Sequence, residues 1–185
     1  ADLVREFSKM TQIPAVETFM ARGTLRYDDP LLISMLGMHG SYAANMAMSE
    51  TDMVIALGAR FDDRVTGKLS EFAKNAQIIH VDIDPASISK LVTAHYPIVG
   101  DVKNVLEAMI PLANEHIDPQ RYIPWHNTIA NFNKLHPLGY KEEGDRIKPQ
   151  WVVERIGQLL GDGANISTDV GQHQMWTAQF YPFTR

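Results

Sequence analysis

The 185-residue chain contains no cysteine. That excludes a disulfide framework and any thiolate metal site, and it fits a reducing compartment. The expected location is cytoplasmic. No apolar run approaches the roughly 20 residues needed to span a bilayer, so no membrane partner is expected. No basic run offsets the formal net charge of −5, and no nucleic-acid partner is expected either. The seven histidines show no HxxxH spacing, so no protein metal site is expected. The GxGxxG dinucleotide fingerprint is missing, as are internal repeats and low-complexity tracts. The opening ADLVREFSKM has neither an initiator Met nor a signal-peptide pattern, which reads as a piece of a longer chain.

With 45% hydrophobic and 21% charged residues, the composition is that of a globular protein. Apolar runs at residues 13–19, 52–57, 77–83, 96–99 and 165–170 read as strands separated by helical spacing. Such alternation predicts βαβ units, a parallel sheet and an α/β fold. The clearest predicted helix covers residues 102 to about 115. It carries Val102, Val105, Leu106, Met109, Ile110 and Ala113 on one face, behind Asp101 as N-cap. Others are expected at about 118–135 and 149–160, the latter opened by Pro149 and stopped by Gly161. The stretch 136–149 has two prolines, two glycines and many charges, and reads as a linker. The division expected is 1–117, a helix and linker over 118–148, and the start of a second α/β unit over 149–185. That last part is too short for a core of its own.

In an open parallel sheet, ligands bind beyond the carboxyl ends of the strands. Thr18, Phe19 and Met20 follow the first predicted strand, and Gly58-Ala59-Arg60-Phe61-Asp62-Asp63-Arg64 the second. Asp82-Ile83-Asp84-Pro85, Gly100-Asp101 and Gly171-Gln172-His173 follow the others. A strand-end carboxylate such as Asp82 can accept from ribose hydroxyls. Gly58 and Gly100 let backbone approach a ligand, and arginine forks suit a diphosphate. Gly37 and Gly40 frame Met38 and His39 before a helix predicted from Ser41, a place where backbone N–H groups can meet an anion. Plainer readings stand beside these. Arg60 and Arg64 can be a solvated cluster, Asp82 and Asp84 turn formers, His39 a turn histidine, and Met35, Met38, Met46 and Met48 core filler.

The stretches MLGMHGSYAANMAM, ALGARFDDRVTGKL, IIHVDIDPASISK, IVGDVKNVL and TDVGQHQMWTAQFY occur in this order. Together they resemble the catalytic subunits of the acetolactate (acetohydroxyacid) synthase family. The resemblance implies a Rossmann-like central FAD-binding domain and the truncated beginning of a diphosphate-binding domain. It implies an enzyme that uses thiamine diphosphate, Mg²⁺ and FAD. Such an enzyme decarboxylates pyruvate and joins the product to a second 2-keto acid, pyruvate or 2-ketobutyrate, in branched-chain amino-acid biosynthesis. It further implies a homodimer or higher oligomer and a possible regulatory small subunit. FAD contacts carry over to Thr18, Phe19, Met20, Leu36, Gly37, Met38, His39, Gly58, Ala59, Arg60, Asp62, Arg64, Val65, Asp82, Ile83 and Asp101. Gln172 and His173 resemble the pair that reaches the diphosphate of thiamine diphosphate. Met38, Asp63 and Arg64 resemble substrate-channel positions. No catalytic acid or base and no metal ligand carries over. The activating glutamate and the metal motif of the family are expected outside these residues, so the isolated segment is expected to be inactive. The GDG at Gly161–Gly163 precedes GQHQMW instead of following it, and reads as a helix stop. The alternatives are a related thiamine-diphosphate carboligase such as glyoxylate carboligase, or a nucleotide-binding module without catalysis.

Overall fold

A computed structural model describes residues 1–184. The strands are β1 (Ala15–Glu17), β2 (Leu32–Met35), β3 (Met53–Leu57), β4 (Gln77–Asp82) and β5 (Tyr96–Val99). The α-helices are α1 (Asp2–Thr11), α2 (Tyr42–Glu50), α3 (Asp63–Thr66), α4 (Val102–His116), α5 (Ile123–Leu135), α6 (Pro149–Leu160) and α7 (Gln172–Phe180). β1 pairs with β2, and β3-β4-β5 form a second sheet; every pairing is parallel. The predicted α/β architecture is thus observed.

β3 shows why these residues make a buried strand. Ala56 and Val54 face one apolar cluster, with Phe61, Ala73, Ala76 and Ile78. Ile55 and Leu57 face the other, beneath α1 and α4, with Phe7, Leu106 and Ala113. The alternation follows from the two-residue period of a strand, and both faces are covered as a parallel sheet requires. Ile13 belongs to the second cluster, so the approach to β1 shares a core with β3. The helix ends obey local chemistry. Ser41 Oγ accepts from the Ala44 N–H at 3.1 Å to start α2. Asp101 caps α4 by accepting from the Lys103 N–H at 2.8 Å.

Several boundaries differ from the sequence reading. β1 stops at Glu17, and Phe19–Ala21 forms a 3₁₀ turn. β4 stops at Asp82, one residue earlier than predicted. The segment 165–170 is irregular rather than a strand. A strand needs a neighbour to satisfy its backbone, and none pairs with this segment among the described residues. Val170 is 83% exposed there.

The short last part packs on the first. Within that part, Gly157 of α6 lies against Pro182, where a Cβ would overlap the proline ring. The Tyr27 N–H donates to the Phe183 carbonyl at 2.8 Å, and the Arg22 guanidinium sits 5.3 Å from the Phe183 ring centroid. Tyr140, in the linker, donates to Glu154 Oε2 of α6 at 2.7 Å. This hydrogen bond is the main reason the Tyr140 phenol is pushed up to about 12.

Candidate functional site

Parallel register sets the edge of the larger sheet. Leu57 pairs with Val81 and Asp82 with Val99, so the chain leaves β3, β4 and β5 side by side. The Gly58 N–H donates to the Val81 carbonyl at 2.8 Å, and the Gly100 N–H to the Asp82 carbonyl at 2.9 Å. Gly58 has φ +65°, and a Cβ there would approach only Val102 Cγ2, at 3.9 Å. Conformation rather than crowding therefore selects glycine, and the space above it is open. The Asp82 side chain is buried and engages one oxygen, accepting from the Asp84 N–H at 2.9 Å. Ile83 points outward and is 69% exposed.

The loop after β3 is nailed down from below and charged above. His80 on β4 is fully buried, and its Nε2 donates to the Ala59 carbonyl at 3.0 Å. Phe61 is buried in a left-handed conformation, φ +55°, with its ring edge-on to His80 at 4.9 Å and to Phe72 at 5.9 Å. Asp62 caps α3 through the Arg64 N–H at 3.2 Å. Above these anchors, Arg60 lies 3.6 Å from Asp62 and Arg64 lies 3.8 Å from Asp63. Both distances exceed those of a good hydrogen bond, so neither guanidinium is committed. Two exposed cationic forks over an open, glycine-lined edge suit an anion such as a diphosphate.

The Gly37–Gly40 segment joins this loop directly. The Met38 N–H donates to the Arg64 carbonyl at 2.8 Å. Gly37 has φ +103°, and a Cβ on it would overlap the Arg64 carbonyl oxygen. Only glycine allows this approach of two backbones. A Cβ at Gly40 would likewise overlap the Met35 carbonyl. Asn45 on α2 clamps the turn: its Oδ1 accepts from the Gly37 N–H at 3.1 Å, and its Nδ2 donates to the Gly37 carbonyl at 3.0 Å. The Leu36 N–H donates to the Glu17 carbonyl at 2.9 Å, bringing the end of β1 alongside. Thr18, Phe19 and Met20 follow that end, and Met20 is 88% exposed.

Three sequence stretches that look separate therefore meet: the end of β1, the Gly37–Gly40 turn and the Arg60–Val65 loop. Met38 and His39 lie on the exposed side of the turn, whereas Leu36 is buried. Gln172 and His173 are not in this cluster. They open α7, exposed, and sit about 10 Å along the helix from Gln179. Gln179 itself reaches the cluster, donating from Nε2 to the His39 carbonyl at 2.9 Å. His80, Phe61, Asn45 and Gln179 were not anticipated. Their roles arise across space, and no local sequence pattern marked them.

Beneath the end of β1 lies a buried ion pair. Arg22 Nη1 is 2.7 Å from Glu17 Oε2, and the side chains are 8% and 3% exposed. Glu17 Oε1 also accepts from the Leu25 N–H at 2.8 Å. Burial is the largest influence on both groups. It raises the Glu17 carboxyl above its ordinary value and lowers the Arg22 guanidinium, against the pull of each on the other.

Parallel strands covered by helices, with glycine, arginine and aspartate gathered at their carboxyl edge, define a Rossmann-like α/β domain. The family described as "Thiamine pyrophosphate enzyme, central domain" matches residues 1–109, and the chain belongs to it. Curated relatives extend the likeness over nearly the whole chain. The acetolactate synthase large subunit of Buchnera aphidicola (subsp. Acyrthosiphon pisum) is 43% identical over 98% of this chain and 32% of its own length. Acetolactate synthase 1, chloroplastic, of rice is 43% identical over 100% of this chain and 29% of its own. The large subunit of Porphyra purpurea is 45% identical over 96% and 30%. The chain thus spans about a third of the length of the curated relatives it matches.

Proposed function

We propose that this chain is part of the catalytic subunit of an acetolactate synthase, supplying most of its FAD site and one edge of its thiamine-diphosphate site. The reaction proposed for the whole enzyme is decarboxylation of pyruvate and condensation with pyruvate or 2-ketobutyrate, giving 2-acetolactate or 2-aceto-2-hydroxybutyrate. The observation that carries the reading is the junction at Met38 and Arg64. It unites loops that this proposal assigns to one cofactor.

The residues present fit FAD. Gly58 leaves room beside the sheet edge, Arg60 and Arg64 offer uncommitted forks to the diphosphate, and Asp82 and Asp101 offer strand-end carboxylates. Thr18, Phe19, Met20, Leu36, Gly37, Met38, His39, Ala59, Asp62, Val65 and Ile83 complete the proposed contact surface. Gln172 and His173 fit one end of thiamine diphosphate, because the first turn of α7 presents unpaired N–H groups to an anion. When bound, thiamine diphosphate supplies the carbanion chemistry of 2-keto-acid decarboxylation. The chain's own contribution is to hold and orient, and Met38, Asp63 and Arg64 border the proposed substrate channel. Among the described residues no group of three or more His, Asp or Glu side chains converges. The ligands of Mg²⁺ are assigned, in this proposal, to other parts of the enzyme.

The proposed division is 1–117 for the FAD-binding domain, 118–148 for the helix and linker, and 149–185 for the start of the diphosphate domain. Arg185 lies outside the described residues. Among the described residues no helix is long and apolar enough to cross a membrane. Cytoplasmic location, a homodimer or larger oligomer and a regulatory subunit belong to the same proposal. The relatives from rice and maize carry "chloroplastic" in their names, so location is a property to be read host by host. The test is direct. Full-length protein with thiamine diphosphate, Mg²⁺ and FAD should make acetolactate from pyruvate, and turnover of glyoxylate instead would reassign it to glyoxylate carboligase. Failure to act on either 2-keto acid would return the chain to a binding module.

A further inference from the structure

We propose that Gln179 couples the two cofactor sites, so that each cofactor tightens binding of the other. This rests on the FAD and thiamine-diphosphate reading above. α7 is a single helix of nine residues, with Gln172 and His173 at its first turn and Gln179 near its last. Gln179 Nε2 donates to the His39 carbonyl at 2.9 Å. That carbonyl belongs to the residue after Met38, whose N–H donates to the Arg64 carbonyl at 2.8 Å. A continuous run of contacts therefore joins the proposed diphosphate-binding turn of α7 to the loop that bears Arg60 and Arg64.

The links in this run differ in strength. The Gly37 end of the turn is held by both polar atoms of the Asn45 amide and by backbone contact with Arg64. The His39 end has the exposed Gln179 contact. The segment after α7 is tied separately, through the Tyr27 N–H to the Phe183 carbonyl and through Arg22 over the Phe183 ring. α7 also packs on β2, so removing the Gln179 amide leaves the second part docked and removes the hydrogen bond between α7 and the turn. A ligand that fixes α7 fixes the His39 carbonyl through this amide. A ligand that fixes the turn fixes α7 in return, because coupling between two binding equilibria is reciprocal.

The experiment uses full-length protein. FAD affinity is measured by flavin fluorescence with and without thiamine diphosphate and Mg²⁺, and thiamine-diphosphate affinity with and without FAD. In the wild type each cofactor should tighten the other by at least about fivefold, by the same factor in both directions. In Gln179→Leu the factor should fall below about twofold, while each cofactor alone binds within about threefold of wild type. Binding of both cofactors with an unchanged factor in Gln179→Leu overturns the inference and leaves the functional reading intact. Absence of coupling in the wild type overturns it equally. Failure of the wild type to bind either cofactor removes the functional reading and the inference with it. Should Gln179→Leu not fold, hydrogen exchange in the wild type decides. Thiamine diphosphate with Mg²⁺, without FAD, should slow exchange over residues 35–41, and unchanged exchange there contradicts the coupling.

Discussion

Glu17–Arg22 and Arg60–Asp62 are both arginine–carboxylate pairs at or just past the end of a strand, yet they differ sharply in setting. The first is 2.7 Å long between side chains 3% and 8% exposed. The second is 3.6 Å long between side chains 77% and 44% exposed. The buried pair is shielded from water: Glu17 is met by Arg22 and by the Leu25 N–H, while Arg22 Nε is buried without a hydrogen-bond partner. The exposed pair has lost little and gained little; such pairs contribute about 0–1 kcal/mol. A guanidinium held that loosely remains available to a ligand. The same residue types thus serve structure in one place and, in the proposed function, recognition in the other, with burial separating the two.

That contrast can be broken from the structural side first. Glu17→Ala leaves Arg22 buried without its partner and should cost about 3–5 kcal/mol in denaturant unfolding. Replacing both residues by apolar ones, as Glu17→Met with Arg22→Leu, should restore most of that loss. A double variant as unstable as the single one would show that the pair's charges are needed for more than each other. Gly37→Ala comes next. Its methyl would overlap the Arg64 carbonyl at a φ unfavourable to alanine, costing about 1–3 kcal/mol and separating the two loops. Asp62→Ala removes the cap of α3 and should cost roughly 0.5–2 kcal/mol. Arg60→Ala should sit at the bottom of the series, within about 0.5 kcal/mol of wild type in thermal or denaturant unfolding.

Much of this was legible in the sequence, for identifiable reasons. β3, β4 and β5 and helices α4 and α6 carry strong apolar periodicity, caps or stops, and they appear close to where the pattern puts them. β2 was missed because Leu32–Met35 is four residues long and owes its state to pairing with β1. The segment 165–170 failed for the converse reason, having strand-like residues and no partner strand. At the site, the charges of Arg60 to Arg64 were visible as an unusual cluster, but their exposure was not. His80 reaches Ala59 across 21 residues, and Gln179 reaches His39 across 140. Contacts made by such folding-back leave no local pattern. Asn45 was hidden differently, since a polar residue eight positions after a glycine looks like an ordinary helix surface.

In the proposed function, the loop from Gly58 to Arg64 holds a cofactor and is not a solvated turn. FAD titration of the full-length protein and its Arg60→Ala variant tests it most directly, with unfolding curves confirming equal stability. Arg60→Ala should weaken FAD binding at least tenfold, about 1.4 kcal/mol. Equal affinity in two equally stable proteins would contradict it and return Arg60 to the surface.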